Sequence, residues 1–266
     1  MTDETEILTS IENGVGRLTL NRPKALHALN RGMCEAMTEA LLTWRDDPTV
    51  VSVLIDHAGE RGFCAGGDIR MIAESGAGDA AEARAFFKTE YRLNHLLFEY
   101  PKPVVAIVDG IVMGGGVGIS EPADVRIATE RTTYAMPETS IGLFPDVGGG
   151  WFLPRLPGQT GVWLALTGAR LKAADTVALG VHTHFVPSDR IDDLKGSLFA
   201  APDDRRRSPT ASTRTPGPSR PPRTVRRSTA CSPTTRSRRS SRRWRPTARS
   251  GPWPSSPCSA PSRPSP

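Results

Sequence analysis

The chain has 266 residues and a formal charge of +6, a figure that describes neither of its two parts. Residues 201–266 hold 16 Arg, no Lys and only two acids, Asp203 and Asp204, which leaves residues 1–200 with 18 basic and 26 acidic side chains. The opening Met-Thr-Asp-Glu-Thr-Glu has no secretory-signal pattern and no apolar run has spanning length, so secreted and membrane classes are set aside and a soluble, cytoplasmic protein is expected.

Taken in chain order, Ile7–Ser10 and Val15–Leu20 flank Asn13-Gly14, the signature of a tight hairpin. Asn30 is placed to cap a helix in which Met33, Ala36, Met37, Ala40, Leu41 and Trp44 repeat at helical spacing. Val50–Ile55 reads as a buried strand, and Gly62–Gly67 as a tight loop entering a helix at Ile69. A long helix is predicted from Ala80 to Glu99, stopped by Pro101 and Pro103. Val104–Val108 is the next strand, followed by a glycine loop and a short helix. Val125–Ala128 and Thr133–Ala135 read as short strands. Beyond Gly150 the pattern is helical, over Trp151–Leu153, Gln159–Leu166 and Lys172–Ala178. Strands alternating with helices argue for an α/β layer structure in one domain, residues 1–200.

Past Ala201 this grammar stops. The tail has no Leu, Ile, Phe, Met, Tyr, Lys, Glu, Asn, Gln or His, and Pro, Ser, Thr, Arg and Ala make up nearly all of it. Such a composition cannot bury a core, so residues 201–266 are expected to be a disordered low-complexity segment. Three origins fit: a linker, a basic arm binding nucleic acid by counterion release, or out-of-frame translation of a GC-rich gene. The third is favoured, with the shift near residues 204–206. Permitted codons for Ser228–Gly251, regrouped by one base, allow an Asp-capped amphipathic helix. Nucleic acid is therefore not an expected partner.

The chemistry concentrates between residues 113 and 150. Gly114-Gly115-Gly116 follows the strand Val104–Val108 and sets bare backbone N–H groups at the mouth of a helix. Such donors carry the positive end of the helix dipole and can hold a developing negative charge. Glu138 and Asp146 come about twenty to thirty residues later, in a Gly- and Pro-rich stretch unsuited to a helix interior. An anion-holding site followed by two acids outlines acyl transfer or enolate formation. Phe63-Cys-Ala-Gly-Gly-Asp68 supplies a second glycine site, so that two backbone N–H groups can meet at one oxygen.

With Phe63–Met71, Phe86–Tyr91, Met113–Ser120 and Met136–Leu156 in view, the sequence resembles the enoyl-CoA hydratase/isomerase (crotonase) superfamily over residues 7–195. Within it the 3-hydroxyisobutyryl-CoA hydrolase branch matches well. The resemblance implies a crotonase-like ββα spiral core and an acyl-CoA thioester as small-molecule substrate. It implies an oxyanion hole from the N–H groups of Gly67 and Gly115, and substrate contacts at Glu90, Gly115, Glu138 and Asp146. Backbone at Lys24, Ala25 and Leu26 and at Ala65, Gly66, Asp68 and Ile69 would line the CoA channel. Glu138 would be nucleophile or base, and Asp146 would orient the substrate hydroxyl and exchange protons, with the division of roles left open. CoA is part of the substrate and no cofactor is implied. A homo-oligomer is compatible with the resemblance.

One departure sorts the branches. Hydratases of the superfamily usually carry a first catalytic glutamate three residues after the oxyanion glycine, where this chain has Gly118. Hydrolysis of a short hydroxyacyl-CoA, with a place in valine breakdown, is therefore expected ahead of hydration or isomerisation. A third reading is an acyl-CoA-binding protein without turnover. Blander readings stand beside these: Glu138 and Asp146 as surface acids, Glu90 as the ion-pair partner of Arg92 or another base, and the triple glycine as mere close packing. Cys64 has no histidine placed by motif to make it a nucleophile. Cys34, Cys64, Cys231 and Cys258 have no metal spacing, and His182-x-His184 lacks a third ligand, so no metal is expected. Gly62–Asp68 fits neither a phosphate loop nor a dinucleotide fingerprint.

Overall fold

The computed structural model describes residues 5–200. The expectations for residues 201–266, as tail, reading-frame product or basic arm, lie outside the described residues. Strands β1 (Ile7–Glu12) and β2 (Val15–Leu20) pair antiparallel across Asn13 and Gly14. Both turn residues have positive φ, 45° and 79°, the mirror-image turn whose twist suits two strands. Asn30 caps α1 (Arg31–Asp46), its side chain accepting the Met33 N–H at 2.9 Å. The helix then buries Met33, Met37, Leu41 and Trp44 on one face.

Three ββ units follow. The first has β3 (Ser52–His57), β4 (Gly62–Cys64) and α2 (Ile69–Gly76), after which comes α3 (Ala81–Phe98). The second has β5 (Val104–Val108), β6 (Ile111–Met113) and α4 (Gly115–Ser120). The third has β7 (Val125–Ala128), β8 (Thr133–Ala135) and a 3-10 turn, Glu138–Ile141. In every unit the first strand joins one sheet and the second strand joins another. β3, β5 and β7 are parallel neighbours in the larger sheet, and β4, β6 and β8 in the smaller. The chain thereby winds as the ββα spiral that its α/β pattern and its resemblance imply.

The remainder is short: α5 (Gly149–Phe152), α6 (Thr160–Thr167), β9 (Leu171–Lys172), α7 (Ala173–Ala178), β10 (His184–Phe185) and α8 (Ile191–Ala200). The sheet orders are β1-β2-β3-β5-β7-β10 and β4-β6-β8-β9.

Two differences from the sequence reading matter for the site. The stretch read as a loop, residues 62–67, opens with β4, which is too short to show alternation and is defined by its pairing with β6. Gly115 and Gly116, read as loop, form the first turn of α4. Strands β6, β9 and β10 are likewise two or three residues long, fixed by neighbours rather than by local pattern.

One face of the larger sheet meets α1 and α3 in a core that joins Leu18, Val53 and Ile55 to Met37, Phe86 and Leu93. The other face, with Leu54, Ile107 and Ile127, is covered by Ile191, Leu194 and Phe199 of α8. Burial on both faces explains why β3 and β5 read as nearly unbroken apolar runs. Lys195 of α8 also reaches buried Asp56 at 2.8 Å, beside Arg17 and Thr19. Burial opposes the charge of Asp56, but these three donors together hold its carboxyl below the usual value. Among the described residues no helix is long and apolar enough to cross a membrane.

Candidate active site

The two stretches expected to line a channel lie side by side. The Ala65 N–H donates to Leu26 O (3.0 Å), Leu29 N–H to Gly66 O (2.7 Å) and Asp68 N–H to Leu29 O (2.8 Å). Lys24, Ala25 and Leu26 are thus brought against Ala65, Gly66, Asp68 and Ile69, with Lys24 and Ile69 exposed. The Asp68 carboxylate is engaged within the fold: it caps α2 by accepting the Met71 N–H and pairs with Arg22 at 2.9 Å. Its backbone is what it has left to offer a ligand.

Gly67 and Gly115 approach closely. A Cβ added to Gly115 would stand 3.2 Å from the Gly67 nitrogen and would overlap Oε1 of Glu90. Among the described residues no acceptor meets the Gly67 N–H. Gly115, as the first residue of α4, keeps the unbonded N–H of any helix start, and Gly114 gives α4 no side-chain cap. The neighbouring Gly114 has φ +47°, and a Cβ there would lie 2.9 Å from Oε1 of Glu138. Only glycine fits that backbone and that gap.

Three carboxyl groups surround this cradle. Glu90, on the buried stripe of α3, is 2 % exposed, and Glu138, which opens the 3-10 turn after β8, is 5 % exposed. Among the described residues, neither side-chain oxygen of Glu138 and not Oε1 of Glu90 has a hydrogen-bond partner. Burial, with Asp146 and Glu138 nearby, pushes Glu90 up to about 8. Burial, with Asp146 nearby, pushes Glu138 up to about 7. Asp146 is also raised by burial, opposed by the Tyr91 hydroxyl that donates to its Oδ2 at 2.7 Å. Close acids that disfavour one another's charge are suited to moving protons near neutral pH.

The backbone is strained where Asp146 is aimed. Val147 is β-branched yet has φ +42° and is buried. Such conformations are costly by about 1–3 kcal/mol and gather at functional sites. Val147 also closes the space beside α4: a Cβ on Gly118 would lie 2.6 Å from the Val147 Cβ and 3.0 Å from Asn94 Nδ2.

The blander readings fare as follows. Glu138 is no surface acid. Glu90 makes no ion pair among the described residues, and Arg92 is exposed on another face of α3. The buried Cys64 thiol donates to His27 O at 3.1 Å and is pushed up to about 12 by burial, which removes it as a nucleophile. His182 is buried edge-on to Tyr134, whereas His184 bonds Thr183. Sequence reading missed Asn94, Tyr91 as the partner of Asp146, and Val147. The first had a signal, a polar residue on the apolar stripe of a helix; the third had none, since only the folded loop brings it to α4.

Comparison with known proteins identifies the family. A profile described as enoyl-CoA hydratase/isomerase matches residues 15–232, most of the chain. The chain belongs to the enoyl-CoA hydratase/isomerase family. It is 51 % identical over 195 residues to the mitochondrial 3-hydroxyisobutyryl-CoA hydrolase of Xenopus tropicalis, covering 73 % of this chain and 51 % of that one. The human protein of the same name is 48 % identical over 195 residues, covering 73 % and 50 %. The chain therefore spans about half the length of these curated relatives. Among solved structures, a carnitinyl-CoA dehydratase from Mycobacterium thermoresistibile superposes with TM-score 0.73 at 49 % identity, over 76 % of this chain and 59 % of that one. An enoyl-CoA hydratase from Rhodobacter sphaeroides does so with TM-score 0.72 at 41 % identity, over 81 % and 62 %. The relatives' names carry the word mitochondrial, so they lend no support to a cytoplasmic location.

Proposed function

We propose that this protein hydrolyses the thioester of a short hydroxyacyl-CoA, 3-hydroxyisobutyryl-CoA foremost, to the free acid and CoA, as a step of valine breakdown. The observation that carries this reading is the meeting of Glu138 and Asp146 with the Gly67–Gly115 pair, at a place where residue 118 has no room for an acid. The names of the curated relatives point the same way.

In this reading the N–H groups of Gly67 and Gly115 form an oxyanion hole for the thioester oxygen. Each such donor is worth about 3–4 kcal/mol of barrier. Glu138, buried, either takes a proton from water as that water adds to the carbonyl carbon, or adds to the carbon itself to give an anhydride that water cleaves after the thiolate has left, returning the free acid and the Glu138 carboxylate. When the C–S bond breaks, the thiolate takes a proton from the acids opposite, of which Asp146 is the partly exposed member. The chain at 24–26 and 65–69 borders the CoA arm, and CoA enters as part of the substrate with no further cofactor. The family also contains hydratases, and two of the structural neighbours carry dehydratase or hydratase in their titles. Water addition by two cooperating glutamates is disfavoured here because Val147 fills the space beside Gly118.

The test is to follow thiol release from 3-hydroxyisobutyryl-CoA and, separately, hydration of crotonyl-CoA. Thiol release without hydration is expected. Hydration without thiol release would overturn the hydrolase reading.

A further inference from the structure

Helix α3 carries two polar side chains on the stripe that faces the core. Its buried residues are Ala83, Phe86, Glu90, Leu93, Asn94 and Leu97, spaced by three, four and one, with Glu90 and Asn94 the polar members. Glu90 is 2 % and Asn94 9 % exposed. Four residues apart, they stand on one face about one turn, 5.4 Å, from each other. Among the described residues, Oε1 of Glu90 and both amide atoms of Asn94 have no hydrogen-bond partner. Each unpaired buried polar group is unfavourable by about 1–3 kcal/mol, whereas an apolar side chain would complete the stripe without that loss. The pair is built for a polar group that the described residues do not supply.

What they face identifies that group. Glu90 meets α4 at Gly115, and Asn94 meets it at Gly118, three residues further on. The two helices thus offer one level with the unbonded N–H groups and Glu90, and a second level with Asn94. An acyl chain running from the first level along α4 would bring its second and third carbons to the second. We infer that Asn94, with Glu90 beside it, recognises a hydroxyl on the acyl chain and selects hydroxyacyl over plain acyl thioesters. The match is chemical: a hydroxyl both donates and accepts, and a carboxamide presents Nδ2–H to its oxygen and Oδ1 to its proton. The inference rests on the acyl-CoA reading of the site and names the residue within it that reads the acyl group.

The experiment compares 3-hydroxyisobutyryl-CoA with isobutyryl-CoA, which differ only in the hydroxyl, on the full chain and on Asn94→Leu and Asn94→Ala. Cleavage and calorimetric binding are both measured, so that the ratio of Kd values serves if turnover is slow. Sites made to bond a substrate hydroxyl reject the analogue lacking it by up to about 10⁴–10⁵-fold. A preference of at least about 100-fold in the wild type, falling below about 10-fold in both variants, is expected. Asn94→Leu should unfold at the wild-type temperature or above, because it removes an unpaired polar group. Equal proportional losses on both thioesters, or an undiminished preference in the folded variants, would overturn the inference. A wild-type chain that neither binds nor cleaves either thioester would instead overturn the acyl-CoA reading beneath it.

Discussion

Val147 stands where a side chain at residue 118 would have to go, with its Cβ 2.6 Å from the position a Cβ on Gly118 would take. Val147 holds that position through a left-handed backbone, φ +42°, that a β-branched residue seldom adopts. Gly118→Ala should therefore destabilise the chain by about 1–3 kcal/mol through overpacking, and Gly118→Glu by more. Neither should speed thioester cleavage. Urea unfolding and the thiol-release assay check both points, and faster cleavage by Gly118→Glu would show that the acyl pocket lies elsewhere.

Stability should fall as pH rises between about 7 and 8. Glu90 and Glu138 keep their protons to about 8 and about 7 in the folded chain, against about 4.3 for an unperturbed glutamate. Burial lowers the pKa values of His27, His57 and His182, which opposes this slope below about pH 6.5. Above it these groups are neutral in both states, so the folded chain binds more protons than the unfolded one and each glutamate contributes a loss of up to about 1.4 kcal/mol per pH unit. Glu90→Gln removes one of the two, should flatten the profile and should be more stable than wild type at about pH 8. Unfolding at about pH 7 and about pH 8 decides it: a wild-type stability that climbs across that window contradicts the protonated site.

Tyr91→Phe isolates the one hydrogen bond that a side chain among the described residues makes to Asp146. The lost hydroxyl favoured the charged form, so the Asp146 pKa should rise further. Because Asp146 acts as a proton donor, the alkaline limb of the rate profile should move to higher pH. An unshifted limb would mean that Asp146 does not control it.

The Arg-, Pro- and Ser-rich composition after residue 201 leads to a genetic expectation. Resequencing codons 200–210 should reveal a missing or additional base, with the corrected frame encoding Leu and Glu in an amphipathic pattern. Confirmation of the frame as given would return the basic-arm reading, which salt-dependent nucleic-acid binding would then test.

Local chemistry made much of this molecule legible. The Asn13-Gly14 turn, the Asn30 cap and the prolines after α3 each act within a few residues, and their elements fall where expected. Gly115 and Glu138 could be singled out because bare N–H donors and acids in a Gly- and Pro-rich stretch have few structural uses. Strands such as β4 and β6 escaped because their existence depends on a partner some fifty residues away. Val147 escaped for the same reason, since its role exists only once the loop after Asp146 folds onto α4. Asn94 is the instructive case. Its place on the stripe of Phe86, Leu93 and Leu97 was visible, but its lack of a partner needed the packed helix.

The most direct measurement is single-turnover release of thiol from 3-hydroxyisobutyryl-CoA by wild type and Glu138→Gln, with binding of the same thioester measured alongside. Gln keeps the size of the side chain and removes both its charge and its capacity to take a proton, so the loss should fall on kcat. Thiol release should drop by at least about 100-fold, the lower bound for a lost acid–base group, with Kd changed only several-fold. Near-full turnover in Glu138→Gln, with the thioester still bound, would remove Glu138 from the chemistry and contradict the site assigned here.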